Sequence, residues 1–136
     1  MPFLTKQFKF CAAHQYWNDN WDLEKNINVF GDDIKIHGHN YILDITVTGK
    51  INPKSGFIID LMKLKDIVDE NVINHLDHSQ IEKDITWFKD KQPSTENLVI
   101  FIWEKIHNKI PSPAKLYKIK LRETPTIFTE YYGPED

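Results

Sequence analysis

The chain has 136 residues, is 40% hydrophobic and 27% charged, and carries a formal net charge of −3. That is the make-up of a single globular domain, residues 1–136, long enough for a real core. It excludes a general affinity for nucleic acid or an anionic membrane, and no stretch approaches the roughly 18 apolar residues of a spanning helix.

The first predicted strand runs from Leu4 to His14, with Phe8, Phe10 and Ala12 on the parity of His14. Cys11, the only cysteine, falls on the other parity and is expected as a buried packing residue. One thiol forms no intrachain disulfide, and Met1 to Lys6 begins no apolar signal segment, so a reducing, cytoplasmic setting is expected. Asn18 to Asp33 is polar and turn-rich and is read as a long functional or partly ordered loop. A second strand covers His37 to Lys50, followed by a turn at Asn52–Gly56. Asp60 is a helix N-cap, and Leu61, Leu64, Val68, Val72 and Leu76 recur at helical spacing up to Asp77. Ser94 or Thr95 caps a second helix whose apolar face is Leu98, Val99, Ile102, Trp103 and Ile106, and Pro111-Ser112-Pro113 stops it. Leu116–Glu123 and Thr126–Tyr132 close the chain as a strand pair around Thr124-Pro125. The order β-β-α-α-β-β predicts an α+β fold, a four-stranded antiparallel sheet with two helices on one face. The bare face then needs cover, and partner subunits are one solution.

His37-Gly38-His39 carries the most chemical information. On a strand, side chains two apart share a face, so the two imidazoles are neighbours. His14 reaches them if the first two strands pair, and three neutral imidazoles around an open position define a catalytic zinc site. Two surface histidines flanking a turn glycine is the plainer alternative. Asp77-His78 is either a helix C-terminus, where histidine is favourable, or a carboxylate–imidazole pair suited to proton transfer. Parity places Lys118, Lys120 and Arg122 on one face and Glu123 on the other, with Tyr117, Ile119 and Leu121. A carboxylate ending an apolar face needs a partner; the amidine-like edge of a pterin or guanine fits, and so does solvent at the Pro125 turn.

Together these pieces resemble the 6-pyruvoyl-tetrahydropterin synthase / 6-carboxy-tetrahydropterin synthase family. The carriers are Phe10-Cys11-Ala12-Ala13-His14, His37-Gly38-His39-Asn40-Tyr41, Gly56 to Lys65, Leu76-Asp77-His78, Ser94-Thr95-Glu96-Asn97 and Arg122-Glu123-Thr124-Pro125, in register from Phe8 to Gly133. The resemblance implies a tunnelling fold (T-fold), in which subunit sheets join into a barrel, and a homohexamer of two trimers with active sites between subunits. It implies zinc on His14, His37 and His39, a proton relay of Asp77 and His78, and Glu123 holding the pterin ring with Ser94, Thr95 and Glu96 nearby. The implied substrate is a small molecule, 7,8-dihydroneopterin triphosphate, converted to the pyruvoyl pterin with loss of triphosphate; no nucleic acid or membrane partner is implied. The family's usual cysteine base before the His-x-His motif is absent from Phe30-Gly31-Asp32-Asp33-Ile34-Lys35-Ile36, where Asp33 stands closest. That departure keeps three alternatives open: carboxy-tetrahydropterin formation in the queuosine route, a carboxylate-based variant giving a hydroxymethyl pterin, and a non-catalytic pterin-binding oligomer.

Overall fold

A computed structural model describes residues 1–135. Strand β1 (Phe3–His14) pairs antiparallel with β2 (His37–Thr48) along its full length. β2 pairs with β4 (Lys115–Thr124), and β4 with β5 (Ile127–Tyr131), again antiparallel. The sheet has five strands, not the expected four, in the order β3-β1-β2-β4-β5. The added strand, β3 (Ser79–Gln80), lies parallel to the end of β1 through Ala12 and Ala13. Two residues are too few to show any alternation in sequence.

One hydrophobic core lies between this sheet and the helices. Phe8, Phe10 and Ala12 of β1, Tyr41, Leu43, Ile45 and Val47 of β2, and Ile119 and Leu121 of β4 form its sheet side. Asp60 caps α2 (Leu61–Val68), accepting from the Met62 N–H at 2.9 Å. That helix continues through a π turn, Asp69–Ile73, into α3 (Asn74–Leu76) and stops before Asp77, as its pattern predicts. Leu64, Val68, Val72 and Leu76 are buried, whereas Leu61 is exposed. The one-residue π insertion keeps the stripe inward over the full run. Ser94 caps α5 (Thr95–Ile106), which buries Leu98, Val99, Phe101, Ile102 and Ile106. A short α4 (Ile81–Asp84) fills the connection between β3 and α5. No helix among the described residues is long and apolar enough to cross a membrane.

Three further expectations are corrected. The segment read as a loop, Asn18 to Asp33, contains a helix, α1 (Leu23–Phe30), capped by Asp22 and followed by a 3-10 turn, Gly31–Ile34. Its pattern is inverted: Asn26 is its buried residue, while Leu23, Ile27 and Val29 are exposed. Cys11 is exposed rather than buried, because its parity faces the side of the sheet that carries no helix. Its thiol donates to Asn40 Oδ1 at 2.9 Å. Tyr117 leaves the apolar face because β4 bulges there: Thr46 pairs with Lys118 and Val47 with Leu116, leaving Tyr117 unpaired. Its ring turns outward against Phe3, 4.4 Å between centroids.

Candidate active site

Antiparallel register places His14 directly opposite His37, and Ala12 opposite His39. All three histidines therefore project from one face at one end of the β1–β2 pair. His14 Nε2 lies 3.0 Å from His37 Nε2 and 3.1 Å from His39 Nε2. The outer nitrogens of two rings are held by carbonyls. His14 Nδ1–H donates to Pro93 O at 2.9 Å, and His37 Nδ1–H donates to Lys35 O at 2.8 Å. In both neutral rings the proton is thereby placed on Nδ1 and the Nε2 lone pair is left inward. Two lone pairs 3.0 Å apart repel unless a cation or proton sits between them. Burial pushes the pKa of the fully buried His14 down to about 4; the Pro93 carbonyl opposes this, and His37 and His39 lower it further. His39 is lowered as well, by burial and then by His37. A proton is thus a poor bridge and a metal ion a good one. Three imidazoles at tetrahedral angles on zinc have nitrogens about 3.3 Å apart, close to the spacing here. The residues fit a metal bound through His14, His37 and His39, the group whose ligand atoms lie within 4.8 Å of one another.

Two carboxylates border this cluster. Glu123 Oε1 is 3.4 Å from His39 Nε2 and is largely shielded from solvent. A second bulge aims it: Arg122 pairs with Phe128 and Thr124 with Ile127, so Glu123 is the unpaired residue. Burial raises its pKa; His37 draws it back, while Asp33 and Glu96 push it further up. Asp33 stands in the 3-10 turn after α1, with Oδ1 3.7 Å from His37 Nε2. Its backbone carbonyl accepts the Tyr16 N–H at 2.8 Å, tying the turn to the segment after β1. Asn26 secures that segment: its Oδ1 accepts from Asn18 N, and its Nδ2 donates to the carbonyls of Asn18, Trp21 and Asp22.

Tyr16, one of the aromatics with Trp17, Trp21 and Phe30 whose sequence allows either a pocket lining or a loop anchor, stands beside the cluster. Its ring lies 5.0 Å from that of His14 and stacks on Phe30 at 5.6 Å. Burial raises its pKa, with Glu123, Asp33 and Glu96 adding to the effect, so it remains a neutral phenol among carboxylates. Tyr41, buried, places its hydroxyl 3.4 Å from His14 Nδ1.

The remaining candidates divide. Ser94 Oγ is occupied in capping α5, accepting from Asn97 N at 3.2 Å. Thr95 Oγ1 bonds Glu96 Oε1 at 2.9 Å and Thr129 Oγ1 at 2.8 Å, so the start of α5 is fastened to β5 beside the site. Asp77 and His78 form a pair, Oδ2 to Nδ1 at 2.9 Å, but at the outer edge of β1. Asp77 Oδ1 accepts the Cys11 N–H at 2.9 Å, and His78 N donates to Cys11 O at 2.6 Å. The hydrogen bond from the Cys11 N–H is the main cause of the lowered Asp77 pKa, with His78 contributing. His78 is exposed and adopts a left-handed backbone, φ 63°, unusual for a non-glycine residue. It lines a cleft of about 330 Å3 with Cys11, Gly38, His39, Asn40 and Ser79. Among the described residues no hydrogen bond or ion pair joins this dyad to the three Nε2 atoms.

Residues 3–134 match the family described as 6-pyruvoyl tetrahydropterin synthase. The 6-pyruvoyl tetrahydrobiopterin synthase of Drosophila melanogaster is 34% identical over 136 residues, 98% of this chain and 81% of that one. The enzyme of the same name from Dictyostelium discoideum is 35% identical over 130 residues, 96% and 95% of the two chains. The solved structure of Caenorhabditis elegans 6-pyruvoyl tetrahydropterin synthase superimposes with a TM-score of 0.88 at 33% identity, covering 98% of each chain. Matched to the family over residues 3–134 and about one-third identical to these relatives over nearly its whole length, the chain belongs to the 6-pyruvoyl tetrahydropterin synthase family.

Proposed function

We propose that the protein is a zinc-dependent lyase that converts 7,8-dihydroneopterin triphosphate to 6-pyruvoyl-tetrahydropterin, releasing triphosphate. The observation that carries this reading is the convergence of three Nε2 atoms, those of His14 and His37 left unprotonated by carbonyls on their Nδ1–H, with the Glu123 carboxylate 3.4 Å from the third. Glu123 accepts two hydrogen bonds from the amidine-like edge of the pterin and so sets the ring's orientation. That orientation extends the substrate's side chain toward the histidines. Zinc on His14, His37 and His39 supplies Lewis acidity toward the side-chain hydroxyls, which acidifies the adjacent carbon-bound protons.

Asp33 is the proposed base. It stands closest in sequence to the place of the family's absent cysteine, and its carboxylate lies 3.7 Å from His37 Nε2 in the 3-10 turn. The Asp77–His78 dyad serves as the relay, with Asp77 holding the imidazole through Nδ1 and leaving Nε2 for proton exchange. The dyad makes no hydrogen bond or ion pair with its own subunit's three Nε2 atoms, and in this reading it acts on those of a neighbour, in a hexamer of two trimers. Ser94 and Thr95 contribute by fastening α5, and Glu96 by its charge near Glu123.

A second reading follows from the same carboxylate. If Asp33 instead takes the proton of the C2′ hydroxyl, the C1′–C2′ bond breaks and C1′ is reprotonated, leaving 6-hydroxymethyl-dihydropterin and a two-carbon aldehyde that carries the triphosphate. Mass spectrometry of products, after incubation of the zinc-loaded protein with dihydroneopterin triphosphate, separates the two. A pyruvoyl pterin with free triphosphate is expected; the hydroxymethyl product supports the second reading, and pterin binding without turnover overturns both.

A further inference from the structure

His37 and His14 are steadied in different ways. The carbonyl that orients His37 belongs to Lys35, two residues away, in a turn closed by Lys35 N donating to Asp32 O at 3.0 Å. The carbonyl that orients His14 belongs to Pro93, 79 residues away in sequence. Its position depends on tertiary structure, and proline has no N–H with which to anchor itself.

Gln92 supplies the anchor. Its Nε2 donates to Trp17 O at 2.7 Å, and its Oε1 accepts from Trp17 N at 3.2 Å. One side-chain amide thus satisfies both backbone groups of a residue three positions beyond His14. Gln92's own carbonyl accepts Asn97 Nδ2 at 2.9 Å. The result is a closed circuit: the chain from His14 to Trp17, the amide of Gln92, the peptide to Pro93, and the hydrogen bond back to His14. If Gln92 loses its grip on Trp17, the 88–93 segment and the 15–18 segment are free to separate, and the Pro93 carbonyl moves with the former. The His14 ring then loses the contact that fixes both its rotation and its tautomer.

We propose that Gln92 is a positioning residue for the metal centre, setting metal affinity through Pro93 and His14 without touching the metal. This rests on the three-histidine reading and extends it to a side chain outside the cluster. The test is the Zn2+ dissociation constant, measured by competition with a chromophoric chelator. Gln92→Leu, which removes both hydrogen bonds at similar size, is expected to raise it about tenfold, as loss of an outer-sphere partner does elsewhere. The visible absorption of the Co2+-loaded variant shifts as well. A purely structural role lowers the melting temperature of the metal-free protein and leaves affinity and spectrum alone. Gln92→Glu keeps the bond from Trp17 N, loses the one to Trp17 O, and provides a second variant should the first fold poorly. A dissociation constant within twofold of wild type in the folded variants, with an unchanged Co2+ spectrum, overturns the positioning role. Failure of the wild type to bind zinc, or undiminished zinc in His39→Ala, overturns the three-histidine reading and this proposal with it.

Discussion

His14 is the residue on which the site turns, and its protonation is coupled to folding. Burial, reinforced by His37 and His39, holds its native pKa at about 4 against an ordinary 6.5. The unfolded chain therefore takes up a proton near pH 6.5 that the native state resists until about pH 4. A depressed histidine pKa leaves stability intact above the ordinary value and erodes it as pH falls through that interval. His39 acts in the same direction, and Asp77, whose pKa is lowered, adds to the loss below the ordinary carboxylate range. Glu123 opposes them, since a raised carboxylate pKa makes the native state the better proton acceptor. The metal-free protein is thus expected to melt at steadily lower temperature between pH 6.5 and pH 4.5. The His14→Gln variant, which removes this one titration, should show a shallower slope over the same range. Equal slopes in the two proteins refute the coupling.

At the scale of elements, β4 shapes the substrate side of the site. Its two bulges fall at Tyr117 and Glu123. The second re-aims a carboxylate at the end of an otherwise apolar run, where burial keeps it poorly solvated and ready for a paired donor. Glu123→Gln replaces one acceptor oxygen by a donor and so sets N–H against N–H on the pterin edge. Fluorescence titration with dihydroneopterin should show binding weakened about tenfold or more, with zinc content unchanged; unaltered binding removes Glu123 as the ring's anchor. None of this bulging is visible in the sequence, because a bulge is a property of two strands in register. The pairing of His37 with His39 was legible, since a period of two needs only one strand. The helix α1 was hidden for a different reason: its contacts are polar, through Asn26, and its apolar residues Leu23, Ile27 and Val29 face outward. Cys11 had its parity read correctly and its burial wrongly, because a sheet covered on one side leaves the other parity open.

Over the whole molecule, the parts assigned to proton transfer and to metal binding are separated. The histidine cluster lies inside the β1–β2 end, whereas Asp77 and His78 stand at the outer edge of β1 with the imidazole exposed. The sheet also ends unfinished on both sides. β3 covers only Ala12 and Ala13 of β1, and β5 has a partner on one side alone. Phe3 on one edge and Ile127 and Phe128 on the other are exposed. Unpaired strand edges carrying exposed apolar side chains favour pairing with another copy of the chain. Such pairing is the proposed route by which one subunit's dyad reaches its neighbour's histidines. Mixing two crippled subunits tests this directly. His39→Ala spoils the metal cluster and keeps the dyad; His78→Ala does the reverse. Each homo-oligomer should be close to inactive. When the two are unfolded together and refolded at equal amounts, a site drawing its cluster from one variant and its dyad from the other is whole. Random pairing then restores about a quarter of wild-type activity, measured on oligomers whose mixed composition is established by native mass spectrometry. Mixed oligomers that stay inactive place both halves of the site in one subunit and refute the sharing of the site between neighbours.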